Sequence, residues 1–438
     1  LGPWSAYGLV AGTMIGTGIF FFVSPVAANA GSPAGIVVAW IAGIAIASCG
    51  ALCVAELATV YPATGGVYVF LREAFGELAG FLYVWANFFI LRIGNLAIAT
   101  LAFATFACDA LGVSPETAAS LQRPVAIAAL ALVTVVNLVG VRTGATVQVT
   151  LTALKLLALA GLVALGVAFA QGLLPPYPIE VAPLVDQTPA FGLALALVPI
   201  MWTLGGWDES PFVAEEVRDP ERNLPRSVLA GLWSVGILYV LVNLAYLAIL
   251  TPMELAGSGT RTATLAMERA LGPAARALLS CALMVSTLGA ANGQTLTGAR
   301  IGYAAGRDHP TIGWLAQLGA RSGAPARALL AQAGLTLTTL VVLDDPMSLL
   351  LYTAVAYWLF GGLTAAALIV VRPRLGDRRP GFRVPLHPVA PVVFVVASGA
   401  MAVTAAVESP RGALVTAAIA AAGLAGFWLD RRLRTSRA

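Results

Sequence analysis

Twelve long apolar runs constrain this chain more than any single motif. They fall at 5–28, 34–60, 79–110, 122–141, 145–170, 189–217, 225–251, 271–303, 326–343, 346–371, 386–407 and 411–430. A helix needs roughly 20 apolar residues to cross a bilayer core, so these runs are long enough to span it. They are too long for barrel strands and lack a period-two alternation. Soluble domains carry about 25% charged residues; here charged residues are 11% of 438 positions and hydrophobic ones 59%. The chain is therefore an all-α polytopic membrane protein with twelve expected transmembrane helices and the lipid bilayer as its first partner. Its formal charge of +4 is for the same reason no sign of a nucleic-acid partner. Cys49, Cys53, Cys108 and Cys281 sit in or at the ends of apolar runs, with neither a disulfide framework nor zinc spacing, and read as small packing residues. No cleavable signal peptide is recognisable, and a chain that opens at Leu1 directly on a membrane segment implies a short preceding tail.

The arginines orient the chain. If the N-terminus is cytoplasmic, the even-numbered connections and the C-terminal tail hold 18 of the 25 basic residues, the odd connections hold five, and Arg92 and Lys155 lie inside helices. That bias places both termini in the cytoplasm. The connection 61–78 mixes turn residues with an amphipathic patch and predicts a short interfacial helix on that side. Glu56, one turn before it, reads as an anchor at the cytoplasmic end of helix two.

Gly12-Thr13-Met14-Ile15-Gly16-Thr17-Gly18-Ile19-Phe20 is the first segment with an unusual composition. Each glycine costs about 1 kcal/mol against alanine in a helix interior. Glycines suit a helix that stops at mid-membrane and restarts, because they let a ligand approach the backbone. Such a break leaves N–H and C=O groups unpaired, and a zwitterion offers a carboxylate for one end and an ammonium for the other. Close helix packing over Gly12 and Gly16 is the alternative. Helix six repeats the pattern in Pro199-Ile200-Met201-Trp202-Thr203-Leu204-Gly205-Gly206-Trp207-Asp208-Glu209, five helices later. Two interrupted helices at corresponding positions point to an inverted-repeat transporter with a midplane site. Trp202 beside the second break is placed to cover a substrate from outside. Asp208 is too deep for a free surface charge; it is either kept neutral, paired with a helix-start N–H, or a proton donor.

Lys155 is the only lysine in the chain. A lysine at mid-helix costs roughly 2.5–3.5 kcal/mol to insert and nearly always faces the bundle interior with a partner. It reads either as a built-in cation or titratable group, or as a structural strut. Arg92 in helix three either snorkels or pairs.

With these residues in view, the sequence resembles the amino acid–polyamine–organocation superfamily, closest to bacterial relatives of the L-type amino acid transporter light chains. The resemblance rests on the stretch Gly12 to Phe20, on Pro62-Ala63-Thr64-Gly65-Gly66-Val67-Tyr68, on Trp202 to Asp208, on Glu215-Glu216 with Pro220 to Pro225, and on Asn292 to Asp308. It implies a LeuT-type 5+5 inverted repeat with helices 1 and 6 unwound: a first repeat over 1–170, a second over 189–371, two peripheral helices over 386–430, and a basic cytoplasmic tail at 431–438. It also implies substrate contacts along Met14, Ile15, Gly16, Thr17, Gly18 and Ile19, and at Trp202, Thr203, Gly205 and Asn292. The carboxylate would meet the amides of Thr17, Gly18 and Ile19, and the ammonium the carbonyls of Met14, Ile15, Trp202 and Gly205. Trp202 takes the outer-gate position, and Lys155 the place that sodium holds in sodium-coupled members, so no sodium and no other cofactor is expected. Asp208 leaves proton coupling open. Asn95, Ala291, Asn292 and Tyr352 are candidates for side-chain selectivity.

The expected activity is sodium-independent transport of small or medium neutral L-amino acids by alternating access, as an exchanger or a proton-coupled permease. The alternative is a polyamine or cationic amino acid antiporter. An enzyme is not expected; the only histidines, His309 and His387, fall in cytoplasmic connections. The implied location is the bacterial cytoplasmic membrane. No cysteine follows Cys108 in the connection Ala110 to Gln122, so no heavy-chain glycoprotein partner is expected.

Overall fold

In a computed structural model the described residues, 1–179, 192–342, 346–376 and 380–435, are helical and contain no strand. Among these described residues ten helical segments, counting Pro3–Phe21 across its break as one, are long and apolar enough to cross a membrane. The first apolar run is divided into α1 (Pro3–Met14), α2 (Gly18–Phe21) and α3 (Val23–Ala30). Gly31, at φ +66°, ends α3 in the left-handed conformation that glycine takes without strain. The side chain of Ser32 then accepts the Gly35 N–H at 3.0 Å and Pro33 opens α4 (Pro33–Val60), a serine cap followed by a proline that has no N–H to lose.

The interfacial helix expected in 61–78 is α5 (Val67–Phe75). After α6 (Glu77–Ala86) the third span passes through one π-helical turn, Asn87–Leu91, into α7 (Arg92–Leu111). Helices α8 (Pro115–Val139) and α9 (Val141–Ala170) complete the first half of the chain. The sixth run yields α10 (Gly192–Thr203), an irregular stretch, and a 3-10 segment at Ser210–Glu216. Its first residues, 189–191, lie outside the described residues.

Then follow α11 (Pro220–Ile249), the short helices α12 (Pro252–Gly257) and α13 (Thr262–Leu271), and the long α14 (Ala275–Asp308). The chain closes with α15 (Ala326–Val342), α16 (Pro346–Val371), α17 (Val389–Glu408) and α18 (Pro410–Thr435). Among the described residues the sixth and ninth expected segments give shorter helices, α10 with 12 residues and α15 with 17. At its far end α10 stops at Thr203, just before the glycine pair Gly205-Gly206. The helices α12 and α13 fall between expected spans; the Thr251–Glu254 capping box, with each side chain on the other's backbone, was their signal in the sequence.

Lipid is as apolar as leucine, so helices in a membrane associate by close packing rather than by escaping water. Small residues provide it here. A Cβ on Gly43 would stand 2.4 Å from Ile200 Cγ2, and one on Gly12 only 2.1 Å from Thr152 Oγ1 and 2.4 Å from Gln148 Nε2. Glu56 is fully buried; it accepts the Val384 N–H at 2.6 Å and faces Arg372 at 3.3 Å, which ties α4 to the segment before α17.

Candidate functional site: a cavity between two helix breaks

Helix α1 stops at Met14 and α2 starts at Gly18. A helix end leaves its last carbonyls without partners, and three other helices supply donors. Lys155 Nζ, from α9, donates to Gly12 O at 2.6 Å and Ile15 O at 2.7 Å. Tyr239 in α11 donates to Met14 O at 2.8 Å, and Ser286 in α14 to Ile15 O at 3.1 Å. The lysine stem passes over Gly289, where a Cβ would lie 2.7 Å from Cε. That glycine is the seat of the lysine, and sequence reasoning missed it.

The second break adjoins the first. A Cβ on Gly18 would fall 2.8 Å from Thr203 Cγ2 and 3.0 Å from Thr203 Cα. Gly206, at φ +98°, lies against the backbone of Thr13 and Met14, with its Cβ direction 3.3 Å from Met14 N. Only a residue without a side chain combines that conformation with that contact.

Between the breaks is a cavity of about 180 Å³. Met14, Gly16, Thr17, Gly18, Trp202, Thr203, Gly205 and Asp208 line it, so the two glycine-rich stretches bring most of the expected residues to one place. Trp202 stands with its ring centroid 5.8 Å from that of Tyr357 in α16, and Asn95 contributes from α7. Ile15 and Ile19 are fully buried and are not among the residues that line the cavity.

Asn292 stands elsewhere. It is fully buried, accepts from Asn137 Nδ2 at 2.9 Å, and donates to Gly144 O at 3.1 Å and Gln148 Oε1 at 2.9 Å. It joins α14 to α8 and α9 instead of facing the cavity, because it lies two residues from the lining residues Ala290 and Gln294, about 200° around the helix from each. Ala291 is fully buried as well, and the side chain of Tyr352 lies outside the described residues. Lys155 is behind the first break, not in the cavity lining.

Arg92 does not snorkel. It lies at the cavity, 4% exposed, and pairs with Glu209 at 2.8 Å. Its Nη1 also donates to Gln294 Oε1 at 2.6 Å and Thr297 Oγ1 at 2.9 Å, and its Nε to Asn87 Oδ1 at 3.2 Å. The signal for this pair was present in the sequence: two opposite charges in separate apolar runs, each too costly to insert alone.

Together, the apolar spanning helices among the described residues and the cavity beside two interrupted ones define a multi-pass membrane protein with a cavity in its interior. Comparison with known proteins takes the assignment further. The chain belongs to the amino acid permease family, whose model matches residues 1–428. It is 33% identical over 399 residues to the b(0,+)-type amino acid transporter 1 of Mus musculus, covering 91% of this chain and 80% of that one. It is 35% identical to the large neutral amino acids transporter small subunit 2 of Oryctolagus cuniculus, over 86% of this chain and 70% of the relative. With the Asc-type amino acid transporter 1 of Mus musculus it shares 31% over 98% of this chain and 80% of the relative. The family and these relatives are transporters, not enzymes.

Proposed function

We propose that the protein is a sodium-independent carrier of small or medium neutral L-amino acids that works by alternating access, as an exchanger or a proton-coupled permease. The observation that carries this reading is the cavity itself, formed where the break after Met14 meets the break after Thr203, with Trp202 and Tyr357 beside it. The substrate carboxylate meets the amides of Thr17, Gly18 and Ile19, and the ammonium meets carbonyls of the two breaks, among them Met14, Trp202 and Gly205. Lys155 supports the absence of sodium coupling: its ammonium already lies between the carbonyls of Gly12 and Ile15, where a metal cation would otherwise be wanted. The architecture we infer is a twelve-crossing one, with inverted halves over 1–170 and 189–371 and peripheral helices over 386–430. The distribution of arginines supports cytoplasmic termini, and the membrane we infer is a bacterial inner one. Cys108 is buried in α7, which supports a carrier without a disulfide-linked heavy chain.

One observation favours a second reading, a cationic amino acid or polyamine antiporter. Glu209 is neutralised by Arg92, whereas Asp208 lines the cavity and forms no ion pair among the described residues. A substrate with an extra positive charge would meet that carboxylate.

Uptake of labelled alanine, serine, leucine, methionine, arginine and putrescine into proteoliposomes tests both. The buffer is sodium-free, with and without internal unlabelled substrate and an inward proton gradient. Uptake of neutral amino acids that needs internal substrate gives an exchanger; uptake into empty vesicles driven by the gradient gives a proton symporter. Uptake of arginine or putrescine alone would overturn the neutral reading in favour of the second.

A further inference from the structure

The Arg92–Glu209 pair is not explained by substrate recognition alone. Glu209 directly precedes the 3-10 segment Ser210–Glu216, whose first five residues are buried. Phe212 in that segment lies under the Arg92 guanidinium, 4.9 Å from ring centroid to Cζ. Ser210 accepts a hydrogen bond from Ser227 in α11 at 2.8 Å. At the far end Glu216 accepts from Arg300 Nε of α14 at 3.0 Å, and Arg300 is 2% exposed. One short segment, running from the cavity toward the face that carries the arginine-rich connections, is thus fixed at both ends by buried arginines of its neighbours. The rung at the cavity gathers Glu209, the π-helical turn before α7 and α14 around a single guanidinium, that of Arg92.

We propose that Arg92 is a positioning residue of the gate on the arginine-rich side. Its pair with Glu209 holds Ser210–Glu216 against α7 and α14 and closes the cavity there, and the pair separates when that side opens. The inference rests on the alternating-access reading above. A buried ion pair suits such a joint because the cost of desolvating the two ions nearly cancels their attraction. When the segment withdraws and water enters, both ions regain hydration, so the open and closed arrangements stay close in free energy. An apolar contact of the same size would lose its whole contribution on opening.

The test uses the full-length purified protein and needs no substrate. In a background with Cys49, Cys53, Cys108 and Cys281 each replaced by alanine, Ala214→Cys puts one thiol on the segment, at a position 1% exposed in the closed arrangement. Its rate of maleimide labelling then reports how often the segment withdraws. Arg92→Gln and Glu209→Gln are each expected to raise that rate about tenfold, the size that coupling between contacting residues commonly produces. The exchanged pair, Arg92→Glu with Glu209→Arg, is expected to bring it back toward the parent. Rates within twofold of the parent in both single variants would overturn the proposal. So would rates in the single variants and the exchanged pair that all equal that of the urea-unfolded protein, since the pair would then serve folding alone. Failure of the transport reading is seen separately, as absence of counterflow in the parent protein.

Discussion

The two helix breaks are joined to the rest of the molecule in opposite ways. Around the first, side chains from α9, α11 and α14 donate to main-chain carbonyls, and the only ion involved is the ammonium of Lys155. Around the second, a carboxylate and a guanidinium face each other and the main chain plays little part. A carbonyl stripped of its donor in a dry site has lost a hydrogen bond and gained nothing. Two ions that part into water are each hydrated again. The first arrangement therefore fixes backbone geometry, and the second provides a joint that can open.

The most damaging way to break this contrast is Lys155→Met, which keeps the length of the side chain and removes its donors. Gly12 O is left unsatisfied at about 1–3 kcal/mol and Ile15 O keeps only its bond from Ser286, at a further cost of about 1 kcal/mol, so uptake is expected to fall by about two orders of magnitude. Retention of more than about a tenth of parental uptake in proteoliposomes would mean that the first break does not depend on its cation.

Next in size is Gly18→Ala. The added methyl meets Thr203 in both backbone and side chain at 2.8–3.0 Å, forcing the breaks apart. Overpacking of this kind costs about 1–3 kcal/mol, and initial uptake is expected to drop by about ten- to a hundredfold. Gly16→Ala is the comparison to make beside it. A Cβ there meets no protein atom within 4 Å. Any rise in KM with unchanged thermal stability then reports a ligand at that position, and an unaltered KM would place the substrate away from Gly16.

Asn292 sharpens the contrast from the scaffold side. Asn292→Ala removes three hydrogen bonds among α8, α9 and α14. It is expected to lower the melting midpoint through a loss of about 1–3 kcal/mol while leaving KM within about twofold. A large rise in KM at unchanged stability would restore it to the binding site.

How much of this was legible follows from what each residue type reveals. Membrane spans follow from apolar length alone, and both breaks were marked by glycines that a plain spanning helix would not carry. Lys155 announced itself as an isolated charge needing an interior partner, though only the fold shows that the partners are two carbonyls. Asn292 follows as a substrate contact only from the family resemblance; the rotation of α14 that turns Gln294 inward and Asn292 outward depends on packing against α8 and α9, which no local pattern records. Arg92 and Glu209 lie 117 positions apart in the chain, and only the tertiary arrangement brings the start of α7 against the second break.

The smallest effect belongs to an ion pair outside the cavity lining. Glu254 and Arg269 join α12 and α13 beside the membrane, at 2.6 and 2.7 Å. The hydrogen bonds from Arg269, with those of the Thr251 cap, hold the Glu254 carboxyl down to about 2 from an ordinary 4.5. Because the folded value is depressed, the stabilisation is complete above the unfolded pKa near 4.5 and is lost as the pH falls from there through about 2. The pair is partly exposed, which limits its worth to less than about 1 kcal/mol. Glu254→Gln is accordingly expected to lower the melting midpoint slightly at pH 6 and to match the parent near pH 2, with transport at pH 6 unchanged. A midpoint difference that does not shrink on acidification would show that the carboxylate charge is not what stabilises this connection. A loss of transport at pH 6 would show that opening involves this outer joint as well as the one at Arg92.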